Sequence, residues 1–234
     1  VEGQLTASWV TDNLEQLALN WGHEHVRTQD TPGFLVNHAG RGLYTEGVRI
    51  LSEGIAQPHQ VDEVLREGGA GFRMGPFELM DYIGNDVNYT VTETVFKSFY
   101  YDPRYKPSFT QKRMMEAGFL GRKSGRGYYD YSKEKQEEPN KDKVLAKKIV
   151  WRILSMLINE AADALFLKIA TKEDIDLAMT KGVNYPKGLL AWADEIRVDN
   201  VLKILEELQK EYCEDRYRPS PLLKRMVATK KTFS

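Results

Sequence analysis

The composition of this 234-residue chain excludes several classes of protein. Its net charge is −1 with 29% charged residues, so the overall balance attracts neither nucleic acid nor an anionic membrane. No apolar stretch approaches the ~20 residues of a membrane-spanning helix. The single cysteine, Cys213, cannot form an internal disulfide, which fits a reducing cytoplasm. We therefore expect a cytoplasmic protein without nucleic-acid or membrane partners, in which Cys213 is a passive residue at a helix end.

The first 30 residues predict a helix and a short strand. Thr6 can cap the helix and Gly22 can end it. Its apolar residues fall at helical spacing: Val10, Leu14, Leu17 and Trp21. Residues 24–30, bounded by glycine and proline signals, predict the strand, with Val26 as its sole strong strand former. A strand needs partners and no other convincing strand follows. We therefore expect the chain to continue a larger protein whose sheet lies before Val1.

The residues that follow predict a mainly α-helical protein. Thr31 and Pro32 supply a cap and a first-turn proline for a long helix over residues 32–52. Shorter helices are predicted over residues 77–83 and 87–100, the first of them started by a Gly-Pro pair. A glycine-rich turn and a polar linker then precede another long helix. The chain is therefore predicted to be helical on both sides of this turn and linker.

The glycine-rich turn covers residues 121–131 and the linker covers residues 132–142, which contain a proline and no apolar residue. The long helix after the linker has one apolar face, formed by Ile149, Ile153, Leu157, Ala161 and Leu165.

The chain contains two copies of one helical unit. Residues 46–84 return as residues 160–197, and the RYKPS sequence at 104–108 returns as RYRPS at 216–220. Because there are only two copies and the period is much longer than a solenoid repeat, we infer a duplicated domain rather than an array.

Residues that both copies share are expected to serve packing, and residues found in one copy are candidates for chemistry. The shared acids are Glu46/Glu160, Asp62/Asp176 and Asp81/Asp194, for which we predict helix caps and buried polar contacts. Asn37 has no counterpart, because Trp151 occupies the position 114 residues later. Asn37 is therefore a candidate ligand contact, although an asparagine early in a long helix is more often a surface or capping residue.

Other motifs are weaker. Gly121, Gly125 and Gly127 follow no strand and open no helix, so a solvated turn is favoured over a phosphate-binding loop. His23 and His25 lack a third ligand, and we predict no metal site. His38 and His59 are isolated and are predicted to lie on helix surfaces.

Three motifs in order resemble the C-terminal region of the 3-hydroxyacyl-CoA dehydrogenases: DTPGFLVN at residues 30–37, GFRMGPFELMD at 71–81 and GRKSGRGYYD at 121–130. The second copy resembles the duplicated C-terminal domain of the longer bacterial members, of the 3-hydroxybutyryl-CoA dehydrogenase and phenylacetate-degradation type. The resemblance covers essentially the whole chain.

This resemblance implies two tandem helical C-terminal-type domains, at residues 31–131 on the substrate side and 143–234, joined by the 132–142 linker. Residues 1–30 would be a helix-and-strand remnant of the Rossmann domain that binds NAD in the family. The family oxidises (S)-3-hydroxyacyl-CoA to 3-ketoacyl-CoA and uses its helical domain as a dimer interface.

The resemblance also implies roles for two residues. Glu2 corresponds to the catalytic glutamate that orients the family's histidine base, which is not in this chain, and Asn37 corresponds to the asparagine that hydrogen-bonds the reacting substrate oxygen. Without a cofactor site or base, the chain alone is expected to be inactive. Acyl-chain length stays open, since Met74, Phe77, Met80 and Tyr82 could line a pocket or fill the core.

Two alternatives remain at this point. The chain could be an autonomous helical module that dimerises or binds acyl-CoA without catalysis. The two copies could also reproduce, within one chain, the dimer that single-copy relatives build from two chains. We otherwise expect a homodimer formed through the helical domains.

Overall fold

The computed structural model describes residues 1–133 and 142–234, and these form a mainly α-helical protein. The predicted fold class is confirmed. Within those two ranges the strand-like pairings are isolated bridges only, so no sheet is formed. Of the linker predicted over residues 132–142, residues 134–141 lie outside the described ranges. No helix in this part of the chain has the length and apolar character needed to cross a bilayer.

The N-terminal helix α1 (Ser8–Asn20) ends just before Gly22, as predicted, but Thr6 does not cap it. The Thr6 hydroxyl instead accepts a hydrogen bond from the N–H of Gly3 (3.1 Å). The helix buries none of its residues. Its exposed large apolar side chains are Trp9, Leu14, Leu17 and Leu19.

The strand predicted for residues 24–30 is reduced to a single bridge. Gln29 pairs in parallel with Glu2, and the Gln29 N–H also donates to the carbonyl of Ile169 (2.8 Å) in the second repeat. The other residues of the segment have no ladder partner, and a ladder is what defines a strand. The segment therefore connects the N-terminus to the second repeat instead of forming a strand.

The first repeat comprises five helices: α2 (Val36–Ser52), α3 (Pro58–Glu67), α4 (Pro76–Ile83), α5 (Asn85–Ser98) and α6 (Phe109–Glu116). The long helix ends where predicted but begins at Val36 instead of Pro32. Gly33 and Phe34 have positive φ angles of 74° and 50°, and this left-handed turn stops a helix from beginning earlier. Helices α4 and α5 confirm the two shorter predicted helices, with small differences at their ends.

The second repeat has the same order of helices: α7 (Lys143–Phe166), α8 (Lys172–Leu177), α9 (Leu189–Ile196), α10 (Val198–Tyr212) and α11 (Pro221–Thr229). A π-helical turn, Ala178–Gly182, continues α8. Short 3-10 turns precede the last helix of each repeat, at Pro103–Tyr105 and Asp215–Tyr217. The predicted apolar face of α7 is buried from Ile149 to Ala161.

The long helices α2 and α7 pack along each other at the centre of the molecule, and helices of both repeats pack against this pair. Gly42 lies at this interface, since a Cβ built there would be in ordinary van der Waals contact with the side chains of Leu157 and Met156, at 3.5 Å. The core is therefore continuous across the two repeats. Its largest fully buried side chains include Tyr105, Tyr217, Phe77, Leu43 and Leu157.

A carboxylate in each repeat caps the helix that follows it. Asp62 in α3 accepts hydrogen bonds from two N–H groups in the first turn of α4 (3.0 and 2.7 Å). Asp176 in α8 accepts two from the first turn of α9 (2.8 and 3.0 Å). A Cβ at Gly75 would lie 2.2 Å from Asp62 Oδ1, and one at Gly188 would lie 2.3 Å from Asp176 Cγ. Helix caps are predicted among the acids that both copies share, and for this pair the prediction is confirmed.

The second shared pair of aspartates fixes irregular segments. Asp81 accepts hydrogen bonds from the N–H groups of Tyr128 and Tyr129 (3.0 Å each) in the glycine-rich turn. Asp194 in α9 accepts from the N–H groups of Phe233 and Ser234 (2.8 Å each). These are structural polar contacts, as the comparison of the two copies predicts.

The shared glutamates join the repeats to each other. Glu46 in α2 is completely buried and its partners all belong to the second repeat. It pairs with Arg152 (2.9 Å) and Arg216 (3.1 Å), and it accepts a hydrogen bond from the Tyr217 hydroxyl (3.0 Å).

The counterpart, Glu160 in α7, has partners in the first repeat. It accepts a hydrogen bond from the Tyr105 hydroxyl (2.8 Å) and lies 3.4 Å from Arg104, which also pairs with Asp163. Burial raises the pKa of Glu160 to about 7, against the lowering effect of Arg104. Each repeat thus supplies an Arg-Tyr pair to the buried glutamate of the other.

Candidate functional site

Asn37 lies in the first turn of α2, immediately after the left-handed turn of residues 31–34. Gly33 makes this geometry possible, since its φ is positive and a Cβ there would lie 2.9 Å from the Cβ of Asn37. The Asn37 N–H donates to the Gly33 carbonyl (3.1 Å). The side chain is partly exposed. Asn37 is therefore presented at the start of the central helix by a turn that requires glycine.

The Asn37 side chain is held at one end and open at the other. Its Oδ1 accepts a hydrogen bond from Arg41 Nη2 (2.7 Å), one helical turn later. Its Nδ2 donates to none of the described residues. The amide therefore presents a free N–H donor to the surroundings of the helix start.

Arg41 is buried against α5. Its Nη1 donates to Thr92 Oγ1 (3.0 Å) and approaches the carbonyl of Asn88 (3.4 Å), and its guanidinium lies 4.6 Å from the centre of the Tyr44 ring. Within residues 1–133 and 142–234, Arg41 forms no ion pair. Burial accordingly lowers the pKa of Arg41.

Glu2 lies elsewhere, beside the extended segment. Its backbone pairs with Thr28 and Asp30, and its carboxylate accepts a hydrogen bond from Gln29 Nε2 (3.4 Å). It borders a cavity of about 550 Å³ between this segment and the α7–α8 connection. Glu2 and Asn37 share no hydrogen bond and no common partner in the part of the chain that the structure describes.

His38 does not lie on the surface, and that prediction is wrong. The side chain is 1% exposed, with Nδ1 3.4 Å from the Tyr105 hydroxyl and the ring packed against Phe99. Burial, reinforced by the charge of Arg104, lowers the pKa of His38 to about 4. The cause is its place on the face of α2 that meets the Pro103–Tyr105 turn. His59 lies partly buried on α3.

Two other weak motifs have structural surroundings. A Cβ at Gly121 would lie 2.2 Å from the backbone carbonyl oxygen of Asp81, and one at Gly127 would lie 2.0 Å from its carboxylate, so both glycines make room for Asp81. Cys213 follows α10 in a left-handed conformation and is exposed, which confirms its helix-end position. Among the described residues no group of His, Cys, Asp and Glu side chains has a metal-binding arrangement.

The sequence left open whether four residues line a pocket or fill the core. Phe77 and Met80 belong to the core, Met74 is partly buried and Tyr82 is exposed. Sequence reasoning missed Arg41. A signal was present, because Ser155 occupies the position 114 residues later, so Arg41 differs between the copies just as Asn37 does.

The family model described as "3-hydroxyacyl-CoA dehydrogenase, C-terminal domain" matches residues 33–131 and again residues 149–232. The two matches cover more than half of the chain. The chain belongs to this dehydrogenase family. The resemblance drawn from the three motifs is thereby confirmed.

Named relatives agree with this membership. The chain is 34% identical to the 3-hydroxyadipyl-CoA dehydrogenase of Escherichia coli (strain K12), over 96% of this chain and 65% of that relative. It is 34% identical to a probable 3-hydroxybutyryl-CoA dehydrogenase of Bacillus subtilis (strain 168), over 57% of this chain and 46% of the relative. A crystal structure of 3-hydroxybutyryl-CoA dehydrogenase from Escherichia coli K12 matches 97% of the chain with a TM-score of 0.91 and 33% identity.

The chain covers 66% of the protein in that crystal structure. It therefore spans less than two thirds of the length of these dehydrogenases.

Proposed function

We propose that the chain is the substrate-side and dimerisation region of an NAD-dependent 3-hydroxyacyl-CoA dehydrogenase. The reaction would oxidise (S)-3-hydroxyacyl-CoA to 3-ketoacyl-CoA in the cytoplasm. Two relatives named for 3-hydroxyadipyl and 3-hydroxybutyryl thioesters support a short acyl chain. Residues 31–131 form the substrate-side domain in this proposal, and residues 143–234 form its structural duplicate.

The observation that carries the proposal is the free amide of Asn37. Oxidation at C3 places negative charge on the substrate oxygen as its proton leaves, and a fixed N–H donor stabilises that charge. The Asn37 Nδ2 is such a donor, since its carbonyl end is occupied by Arg41 at 2.7 Å and its amino end has no partner among the described residues. Asn37 is thus assigned to the reacting oxygen.

Glu2 has a supporting role in this proposal. It would orient and stabilise a histidine base contributed by another part of the enzyme. Its position beside a cavity of about 550 Å³ leaves its carboxylate accessible from that side. The carboxylate is already partnered by Gln29 and, more distantly, by Arg27 (3.8 Å).

The described residues do not fit the nucleotide part of NAD. Their glycine-rich turn follows no strand, and Gly121 and Gly127 in it are packed against Asp81. We therefore assign NAD binding to residues outside the matched region and propose that residues 1–234 alone give no turnover. Absorbance at the NADH band, with 3-hydroxybutyryl-CoA and NAD, tests this directly, and measurable NADH formation would contradict it.

The proposal is tested by isothermal titration of the chain with acetoacetyl-CoA and, separately, with NADH. Acetoacetyl-CoA should bind, and Asn37→Ala should weaken that binding. Asn200→Ala, which removes an exposed asparagine of the second repeat, is the matched control and should bind like the parent chain. NADH should not bind.

Equal binding of acetoacetyl-CoA to the parent and to Asn37→Ala would remove Asn37 from the substrate site. Absence of binding by the parent chain would leave an interaction module without a substrate half-site.

The homodimer stays a proposal, with an internal alternative. The faces of α2 and α7 already pack on each other within one chain, so a homodimer needs a further surface. Sedimentation velocity over a range of concentrations separates the two: a mass that stays monomeric supports internal pairing, and a stable dimer supports a second interface.

A further inference from the structure

Arg41 is a buried cation that donates one hydrogen bond to the Asn37 amide and two to residues of α5. The side chain is 6% exposed, and within the described ranges no carboxylate pairs with it. Burying an unpaired charge is costly. The contacts that Arg41 makes in return for this cost therefore require an explanation.

The chemistry of the contact fixes the orientation of Asn37. A guanidinium group has five N–H donors and no acceptor, so only the carbonyl end of an amide can face it. The 2.7 Å contact between Arg41 Nη2 and Asn37 Oδ1 therefore leaves Nδ2 directed away from Arg41. A flipped amide would place two donors against each other, which is unfavourable.

Arg41 is itself held in place by a different helix. Thr92 in α5 accepts from Nη1 (3.0 Å) and donates to the carbonyl of Asn88 (2.8 Å), which also lies 3.4 Å from Nη1. Thr92 is completely buried. Gln111 in α6 donates to Asn88 Oδ1 (3.0 Å). The position of the Asn37 amide thus depends, through Arg41, on α5 and α6 as well as on its own helix.

The second repeat has no such arrangement. The positions 114 residues after Asn37 and Arg41 are Trp151 and Ser155, and the Ser155 hydroxyl has no hydrogen-bond partner in the described part of the chain. The network is therefore not a packing element that the fold demands in both copies.

We propose that Arg41 is a positioning residue for the substrate site: it locks the Asn37 amide with Nδ2 outward and polarises it toward a stronger N–H donor. A charged donor on the carbonyl end strengthens the donor at the other end of an amide, because consecutive hydrogen bonds polarise each other. This inference rests on the proposed function of Asn37.

The first experiment measures the mobility of the Asn37 side-chain amide by 15N relaxation, with its signal identified by its loss in Asn37→Ala. Arg41→Met should make the amide markedly more mobile, and Arg41→Lys should restore part of the order. Arg66→Met, at an exposed arginine of α3, is the control and should change nothing. An amide equally ordered in Arg41→Met would overturn the proposal.

If Arg41→Met does not fold, Thr92→Val tests the same idea while keeping the arginine. It removes one anchor at nearly constant volume and should raise the mobility of the Asn37 amide by a smaller amount. Unchanged mobility in a folded Thr92→Val protein would count against the proposal.

The second experiment is a double-mutant cycle on acetoacetyl-CoA affinity. Arg41→Met should weaken binding by about tenfold in the parent chain and have little effect when Asn37 is already alanine. Equal losses in both backgrounds would mean that Arg41 acts independently of Asn37. If Asn37→Ala itself has no effect, the proposed function fails, and the relaxation experiment still decides whether Arg41 orders the amide.

Discussion

The two repeats share their capping aspartates and exchange Arg-Tyr pairs, yet they differ at the start of their long helices. The first repeat has Asn37, His38 and Arg41, and the second has Trp151, Arg152 and Ser155 at the equivalent positions. Shared residues make contacts that any copy of this fold needs. Unshared residues mark positions at which the copies can differ without loss of the fold, and it is in the first repeat that we propose a substrate contact, at Asn37.

The exchanged clusters also differ in charge. Glu46 pairs with two arginines, Arg152 and Arg216. Glu160 pairs with one, Arg104, which it shares with Asp163. The same backbone arrangement thus contains an arginine-rich cluster on one side and a carboxylate-rich cluster on the other.

The largest expected effect is loss of Glu46. In Glu46→Ala, Arg216 keeps a carboxylate only at 3.7 Å, from Glu214, so a buried charge loses its pairing. We expect a loss of about 3–5 kcal/mol in the free energy of unfolding, measured by urea denaturation. Glu160→Ala should lose less, since Arg104 retains Asp163.

The exposed Glu206→Ala is the control for that comparison and should be close to neutral. If Glu160→Ala proves as damaging as Glu46→Ala, the two clusters are energetically equivalent despite their different charges.

The second prediction concerns pH. The pKa of Glu160 rises from 4.5 to about 7 on folding because of burial. Between those values the folded state binds more protons at this site than the unfolded state, so stability falls as pH rises. Glu160→Gln should remove up to about 1.4 kcal/mol per pH unit of that dependence.

The charged and titratable groups around Glu160 are Arg104, Asp163, Asp102, Tyr105 and His38. His38 has the opposite dependence, because its pKa is lowered to about 4 and its protonation opposes folding. Subtracting the Glu160→Gln stability curve from that of the parent cancels this contribution. A difference that does not change with pH would contradict the prediction.

The third prediction compares the capping aspartates. Asp62→Ala and Asp176→Ala should each cost about 1–2 kcal/mol through loss of the cap. Asp62→Ala should cost more, because Asp62 also accepts a hydrogen bond from Tyr129 (2.7 Å) and is more deeply buried. The measurement is thermal and urea unfolding above pH 7, where Asp62, whose pKa burial raises to about 7, is ionised. Glu206→Ala, at an exposed residue of α10, serves as control, and an equal cost at the two caps would contradict the ranking.

The smallest predicted effect has the opposite sign. Ser155 is completely buried and its hydroxyl is unpartnered in the described ranges, so Ser155→Ala should be neutral or stabilise by up to about 1 kcal/mol. Ser52→Ala removes a hydroxyl that donates to the Val48 carbonyl (2.8 Å) and should not stabilise. Destabilisation by Ser155→Ala would show that this hydroxyl has a role the contacts do not reveal.

The repeat made part of this structure predictable from sequence. Comparison of the two copies predicts helix caps and buried polar contacts for the acids that both copies share, and Asp62 and Asp176 are caps. The first turn of α2 was not predictable in the same way. Phe34 adopts a left-handed conformation that side chains rarely take, and no propensity signals it.

The burial and orientation of polar side chains in the interior could not be predicted from the sequence either. His38 is buried because Tyr105 and Phe99 reach it from distant parts of the chain, and periodicity along α2 does not contain that information. Asn37 could be proposed from its absence in the second copy, whereas its orientation depends on Arg41 and, through Thr92, on α5. Long-range contacts of this kind become visible only in three dimensions.

The exchange of Arg-Tyr pairs has a consequence for how the protein can change. In a symmetric homodimer every substitution appears on both sides of the interface. Here the two sides are separate stretches of one chain, so His38 and Arg152 can differ at equivalent positions. Covalent connection also keeps the effective concentration of one half toward the other high at any dilution. Because the two repeats belong to one chain, the interface between them need not be symmetric. A residue on one side can be substituted while the contacts on the other side are kept.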